Sequence, residues 1–137
     1  MAKLVLTDVV TTIGGTDYSA NINQVEISLS ADQVDTTPFG ATGGFRTSVN
    51  GLKSGTFTVS FHQDFAAAAI DSSLWGLFGS AATVVVKPAG TAVSSSNPSF
   101  TFLVNVANLT PVTGAVGDLA VSNLTWPITG AVTRATA

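Results

Sequence analysis

The chain has 137 residues, with eight acidic and five basic side chains, a net charge of −3 and no cysteine. A chain of this length fits one domain, and the lack of cysteine excludes a disulfide framework and thiolate chemistry. Charged residues make up 9% of the sequence, against about 25% in average globular proteins. Because a monomer usually keeps its surface charged, we expect other copies of the chain to cover much of this surface. The alternative is a secreted β-domain rich in Thr and Ser.

Alternating apolar and polar residues predict several half-buried strands. We expect a first strand over Lys3–Val10. Residues 25–30 (VEISLS) and 56–62 (TFTVSFH) then alternate strictly, which predicts two further strands. The side chains expected to point inward from these two strands are Val25, Ile27, Leu29, Phe57, Val59 and Phe61.

Between these strands the sequence predicts a long loop, Ala31–Ser54, interrupted by Pro38 and four glycines. Loops longer than about 15 residues are usually functional or disordered. Its apolar side chains favour packing against a neighbouring subunit; they are Phe39, Phe45, Val49 and Leu52. Folding back onto its own domain is the alternative.

Residues 65–78 predict an amphipathic helix beside the strands. Asp64 is the expected N-cap, and Gly79 the expected C-terminal stop. The apolar stripe consists of Ala66, Ile70, Leu74, Leu77 and Phe78. Trp75 lies at the edge of this stripe, where it would either flank the core or form part of an interface.

Three strands are predicted in the C-terminal half. The first is Thr83–Lys87 (TVVVK), whose run of valines can be covered on both faces of a strand. The second is residues 100–107, in which the side chains alternate between two faces, with Phe and Val on one of them. Asp118–Pro127 forms the third, with a one-residue change of phase near Ser122–Asn123 that is typical of a β-bulge. Residues 128–134 would extend this strand or form a short arm.

These elements predict a mainly-β fold with one domain over residues 1–137. We expect a β-sandwich or flattened barrel of about six to eight strands with one flanking α-helix.

The residues for catalysis or metal binding are scarce. His62 is the only histidine, and no G-x-S-x-G nucleophile motif accompanies it, so it is interpreted as a surface or interface residue. One His without Cys is too few ligands for a zinc site. Asp32 and Asp35 could share a calcium ion, but solvated carboxylates or an ion pair with Arg46 or Lys53 are favoured. We therefore expect no enzyme activity and assign no catalytic, metal-binding or cofactor-binding residue.

The sequence also argues against binding to nucleic acid or membrane. The five basic residues are scattered, whereas nucleic-acid affinity needs clustered Lys and Arg; a mildly acidic wall suits a conduit for DNA better than a binding site. The longest apolar runs, Phe65–Ile70 and Val84–Val86, are too short to span a bilayer. We expect no targeting segment in the opening MAKLVLTDVV, because it lacks a sustained apolar region.

Three stretches carry a family resemblance. The first is residues 25–40 (VEISLSADQVDTTPFG) with the GFR at 44–46 and the GLKSG at 51–55; the second is SLWGLF at 73–78; the third comprises SNPSF at 96–100, VGD at 116–118 and WPITGAVTR at 126–134. In order and spacing they resemble the tail tube (major tail) proteins of long-tailed bacteriophages and gene transfer agents. The resemblance covers most of residues 22–134.

The resemblance implies a virion structural protein assembled in the cytoplasm of a bacterial host. Six copies would form a ring, and rings would stack helically into a tube that DNA traverses without sequence-specific binding. The partners would be further copies and other virion proteins, with no cofactor. The loop at 31–54 would contact the adjacent ring, and the terminal segments would act as arms. Alternatives are a capsid decoration (cement) protein with the same fold and a secreted ligand-binding β-sandwich.

The expected subunit interface lies in this loop. Its residues are Asp35, Thr36, Thr37, Phe39, Phe45, Arg46, Leu52 and Lys53, with Trp75 and Arg134 as further candidates.

Overall fold

The computed structural model describes residues 3–40, 42–66 and 69–137. These residues form seven β-strands, a short 3-10 helix at Thr42–Gly44 and one α-helix, α1, at Ile70–Leu77. The strands are β1 Val10–Ile13, β2 Thr16–Asp17, β3 Ile22–Asp35, β4 Ser48–His62, β5 Ala81–Lys87, β6 Ser99–Asn105 and β7 Val121–Ala135. In this part of the chain the α-helix has eight residues, and no helix is long and apolar enough to cross a membrane.

The strands form one antiparallel sheet in the order β2-β1-β5-β6-β7-β4-β3. The edges β2 and β3 do not pair with each other, so the sheet is not a closed barrel. The sheet bends around Ile128 of β7, which pairs with Gly55 of β4 on one side and with Val104 of β6 on the other. The ring centroids of Phe57 and Phe102 lie 5.3 Å apart although β7 separates their strands. The sheet therefore curls around one core, and the prediction of a mainly-β fold with a flanking helix is confirmed.

Most side chains that the alternating patterns place inward belong to the core, but the prediction for Leu29 is wrong: it is 60% exposed, because it lies near the end of β3 that extends beyond the core, whereas Val25 and Ile27 are partly buried. Phe57, Val59 and Phe61 are buried, as predicted. Residues Phe102, Val104 and Val106, also predicted inward, are buried against them. Trp126 is fully buried, and its indole N–H donates to the carbonyl of Asn108 at 3.0 Å. This bond satisfies the polar atom of the largest core side chain.

The helix is shorter than predicted. It begins at Ile70 rather than 65, and Ala69 is its N-cap. Asp64 instead accepts a hydrogen bond from the backbone N–H of Ala66 at 3.0 Å, upstream of the helix. Ala67 and Ala68, which belong to the predicted helix, lie outside the described residues. Of the predicted stripe, Ile70 and Leu74 are buried, Leu77 packs partly against the core, and Ala66 and Phe78 are exposed. Gly79 follows the helix with a φ of 83°, which favours glycine at this stop.

The predicted strand Lys3–Val10 is wrong, because only Val10 lies in a strand. Leu4, Val5 and Leu6 have strand-favouring side chains, but they are 58%, 78% and 64% exposed. No described strand lies beside them to complete a ladder. Strand propensity is realised only where a partner and a core face are available.

The predicted bulge at Ser122–Asn123 is also wrong. The pairing of β7 with β4 runs without a break from Val121 to Ile128, and Leu119, which suggested the change of phase, precedes the strand. An irregularity occurs later, where Thr129–Thr133 opposes Thr101–Leu103. Residues 128–134 do extend the strand, one of the two outcomes expected.

Candidate assembly surface

The predicted loop at 31–54 is mostly a β-hairpin. Its first five residues belong to β3 and its last seven to β4, which leaves residues 36–47 as the connection. β4 pairs with β7 only from Gly55 onward, so residues 48–54 have a partner strand on one side, β3. We call residues 29–54 the hairpin ribbon. The strands of the hairpin ribbon could not be predicted from the sequence. Nearly all side chains of the ribbon face solvent, so its hydrophobicity does not alternate between an inward and an outward face.

Polar side chains hold the end of the hairpin ribbon. The backbone N–H of Thr36 donates to the carbonyl of Thr47 at 2.9 Å, and the N–H of Thr47 donates to the hydroxyl of Thr37 at 2.8 Å. The N–H of Thr37 donates to Asp35 at 2.9 Å, and Arg46 donates to the other oxygen of that carboxylate at 3.2 Å. The Thr37 hydroxyl, then its backbone N–H, and finally Arg46 lower the pKa of Asp35. The favoured ion pair of Asp35 with Arg46 is therefore present.

Further hydrogen bonds join the two strands of the hairpin ribbon. The amide of Gln33 donates to Asn50 at 2.6 Å and accepts from Ser48 at 3.1 Å. Nearby, Gly51 and Leu52 oppose Asp32 in a one-residue irregularity of the register, the arrangement of a β-bulge. Within the described residues, no three His, Cys, Asp or Glu side chains are grouped to hold a metal ion.

The hairpin ribbon carries apolar side chains that its own domain does not cover. Phe39 is fully exposed, Phe45 is 77% exposed and Leu52 is 81% exposed. Val34 and Val49 lie opposite each other and are also more than half exposed. Val34 was not among the predicted interface residues, although it and Val49 add exposed apolar surface to the hairpin ribbon. Contiguous exposed apolar side chains mark sites of association.

The predicted interface residues fall into separate places. Asp35, Thr36, Thr37 and Arg46 lie together at the base of the connection. The remaining residues are Phe39 and Phe45 in the connection, Leu52 and Lys53 on β4, Trp75 on α1 and Arg134 on β7. Trp75 is exposed and stacks on Phe78 with ring centroids 6.5 Å apart, so it does not flank the core.

The sheet face opposite the core is polar where β3, β4 and β7 run side by side. Glu26, Thr58 and Thr125 lie in one row across the three strands, and the two threonine hydroxyls are 3.2 Å apart. The neighbouring rows contain Gln24, Ser28, Thr56, Ser60, Asn123 and Pro127. Glu26 is the one charged side chain in these rows of described residues, and none is basic.

Comparison with known proteins gives matches in structure but not in sequence. No protein family model matches the chain, and no curated protein matches it. A chain in the virion of a native gene transfer agent particle matches with a TM-score of 0.73 and 16% identity, over 93% of this chain and 95% of that one. A chain in the tail of an empty gene transfer agent particle, refined helically with C6 symmetry, matches with a TM-score of 0.63 and 18% identity, over 85% and 83%. At these identities, the finding is that this chain has the same fold as chains of gene transfer agent particles.

Proposed function

We propose that this chain is a non-enzymatic structural subunit of a phage-type tail, in which six copies form a ring and rings stack into a tube. The observation that carries the proposal is the fold shared over nearly the whole chain with chains of gene transfer agent particles, one of them in a tail with C6 symmetry. The low content of charged residues and the uncovered hairpin ribbon support it independently.

The ring would form through sheet edges. β3 is an edge strand of 14 residues, paired on one side with β4. A long unpaired edge favours aggregation of a monomer. In a closed ring each such edge meets a neighbour, and a head-to-tail contact that closes after six copies leaves no copy with a free edge.

Stacking of rings would use the hairpin ribbon. Phe39, Phe45 and Leu52 would transfer from water into contact with the adjacent ring, and apolar burial contributes about 25 cal/mol per Å². Six ribbons per ring would act together, so that weak individual contacts give a stable tube. Arg46 and Asp35 would hold the connection in the shape that presents the two phenylalanines.

The polar face around Glu26 and Thr58 would line the channel. DNA would pass without sequence-specific binding because this face has no basic residue to hold phosphate groups. The net charge of −3 adds a weak repulsion. Assembly would take place in the cytoplasm of a bacterial host, with other virion proteins at the ends of the tube.

Electron microscopy of the concentrated, purified protein tests the proposal. A tail subunit forms hollow tubes of stacked rings without any other protein. A capsid decoration protein would instead remain a small oligomer that binds to capsids, and this result would overturn the proposal.

A further inference from the structure

A cleft of about 480 Å³ opens at the base of the hairpin ribbon, between β4 and β7. The two strands are hydrogen-bonded up to the pair Gly55–Ile128 and then separate. Beyond this point β7 pairs with β6, and residues 48–54 of β4 pair with β3. The cleft therefore lies between two strand edges that face each other without a strand between them.

The floor of this cleft is apolar. Leu29, Gly55 and Ile128 lie in one row across β3, β4 and β7. A Cβ atom on Gly55 would lie 2.7 Å from a methyl group of Leu29 and 3.2 Å from one of Ile128, so these side chains meet above the glycine. Val132 continues the floor along β7 and is partly buried. An occupant must offer apolar side chains on one face.

The walls of the cleft are suited to pairing with an extended backbone. In an antiparallel strand with one partner, alternate residues direct their N–H and C=O groups to the open side. Residues 48–54 and 129–135 both present such groups, and the described backbone hydrogen bonds include none that join these two edges. A strand seated between them would pair with one wall or both, as in binding by β-augmentation.

The chain carries a segment suited to this position. Residues 3–7 (KLVLT) form no strand and make no hydrogen bond to other described residues. Leu4, Val5 and Leu6 are all exposed. In an extended conformation Leu4 and Leu6 point to one face, which matches an apolar floor below. Five residues extend about 17 Å, shorter than the seven-residue edge of about 23 Å that would receive them.

Within its own chain the segment lies at a different groove and not at the cleft. Leu6 lines this groove beside Ile22 and Val25, near the other end of β3. Asp8 holds this part of the chain by accepting a hydrogen bond from the backbone N–H of Gly90 at 3.1 Å. Asp8 therefore anchors the C-terminal end of the segment, and the exposed side chains of Leu4, Val5 and Leu6 precede this anchor.

We infer that the cleft between β4 and β7 binds residues 3–7 of a second copy as an added β-strand, with Leu4 and Leu6 on the floor formed by Leu29, Ile128 and Val132. The inference rests on the proposed self-assembly and identifies one of the contacts that join the subunits.

Disulfide trapping tests this contact, because the chain has no cysteine of its own. A Leu6→Cys variant is mixed with an Ala131→Cys variant at high concentration under mild oxidation, so that a disulfide can form between the two variants only across copies. We expect about tenfold or more of this mixed disulfide than with a Ser95→Cys partner in an exposed loop, because docking raises the effective concentration. A Phe39→Cys partner for Ala131→Cys tests the hairpin ribbon as the occupant instead.

A chain lacking residues 3–7 provides the second measurement. We expect its urea midpoint to equal that of the full chain and its assembly to be lost. The inference would be overturned if Leu6→Cys gave no more mixed disulfide with Ala131→Cys than with Ser95→Cys and the shortened chain still assembled. This result would not contradict the proposed tube. Preferential trapping of Phe39→Cys would also overturn it. Specific trapping of Leu6→Cys without tubes would support the contact and contradict the proposed tail function.

Discussion

The guanidinium of Arg46 donates a hydrogen bond to the carboxylate of Asp35 at 3.2 Å, across the open end of the β3–β4 hairpin. Both side chains are more than half exposed, at 84% and 58%, so the pair contributes little to global stability. Its effect is local, because it joins the last residue of β3 to the connection that carries Phe39 and Phe45.

The pH dependence of this end follows from the lowered pKa of Asp35. Hydrogen bonds from Thr37 and the charge of Arg46 stabilise the carboxylate, so the stabilising contribution is present above the ordinary pKa of 3.8 and is lost as the pH falls through the lower folded-state value. We expect the amide signals of Thr37 and Thr47 to shift in an NMR titration with a midpoint below pH 3.8. Asp35→Asn should show the shifted signals at neutral pH, and a midpoint above 3.8 in the parent chain would refute this account.

Acidic substitutions in the hairpin ribbon should separate stacking from folding. Phe45→Asp and Leu52→Asp place a charge where an apolar contact with the next ring is expected, so we expect isolated rings in place of tubes in electron micrographs. Both side chains are exposed, and the free energy of unfolding should change by no more than about 0.5 kcal/mol. Val112→Asp is the control and should form tubes. Val112 is likewise exposed and apolar, but it lies in the loop before β7. Tubes of normal length from both ribbon variants would rule out the ribbon as the stacking surface.

Trp126 should dominate the stability of the core. It is fully buried against Phe57 at a centroid distance of 6.2 Å. Trp126→Ala should reduce the free energy of unfolding by about 3–5 kcal/mol. Trp126→Phe removes the donor to the Asn108 carbonyl and should cost about 1–3 kcal/mol from that loss alone. Urea denaturation measures both, and a loss below about 1 kcal/mol for the alanine variant would contradict the packing described.

Gly55 and Gly76 form a matched pair of glycines. A Cβ at Gly55 would lie 2.7 Å from Leu29 and 3.1 Å from the backbone oxygen of Ser28, whereas one at Gly76 of α1 would contact nothing within 4 Å. Gly55→Ala should lower the free energy of unfolding by about 1 kcal/mol, because the methyl groups of Leu29 and Ile128 can move aside whereas the backbone oxygen of Ser28 cannot. Gly76→Ala should stabilise it by about 0.5–1 kcal/mol, since alanine favours a helix. Equal effects of the two substitutions on the urea midpoint would show that the row above Gly55 is not tightly packed.

In β4 and β6, where one face of the strand is buried, the sequence was sufficient to predict the strand. The alternation of Phe57, Val59 and Phe61 with polar residues predicted both the strand and its inward face. Phe102 and Val104 followed the same rule, because burial of alternate side chains leaves a period of two in the sequence.

The valine run of Thr83–Lys87 has no such period, and the expectation that both of its faces could be covered did not show that Val84 and Val86 face the core while Thr83 is exposed. β1 also has a buried face, but it was not predicted, because this face combines Thr11 with Ile13 and leaves no apolar alternation.

Where no core face exists, the same rule failed. The hairpin ribbon is held by side-chain pairs such as Gln33–Asn50, which leave no hydrophobic period. Conversely, Leu4–Leu6 showed strand propensity but pairs with none of the described strands. The cleft between β4 and β7 depends on the register around Gly55 and on the turn of the sheet at Ile128, which arise from tertiary packing. Its floor residues could not be identified from local patterns.

Closed rings of six copies are the central feature of the proposed tail function. End-on class averages of particles from the purified protein measure this directly. We expect annular projections with sixfold symmetry and a central channel. A protein that remains monomeric at high concentration, or rings of a different symmetry, would contradict the account.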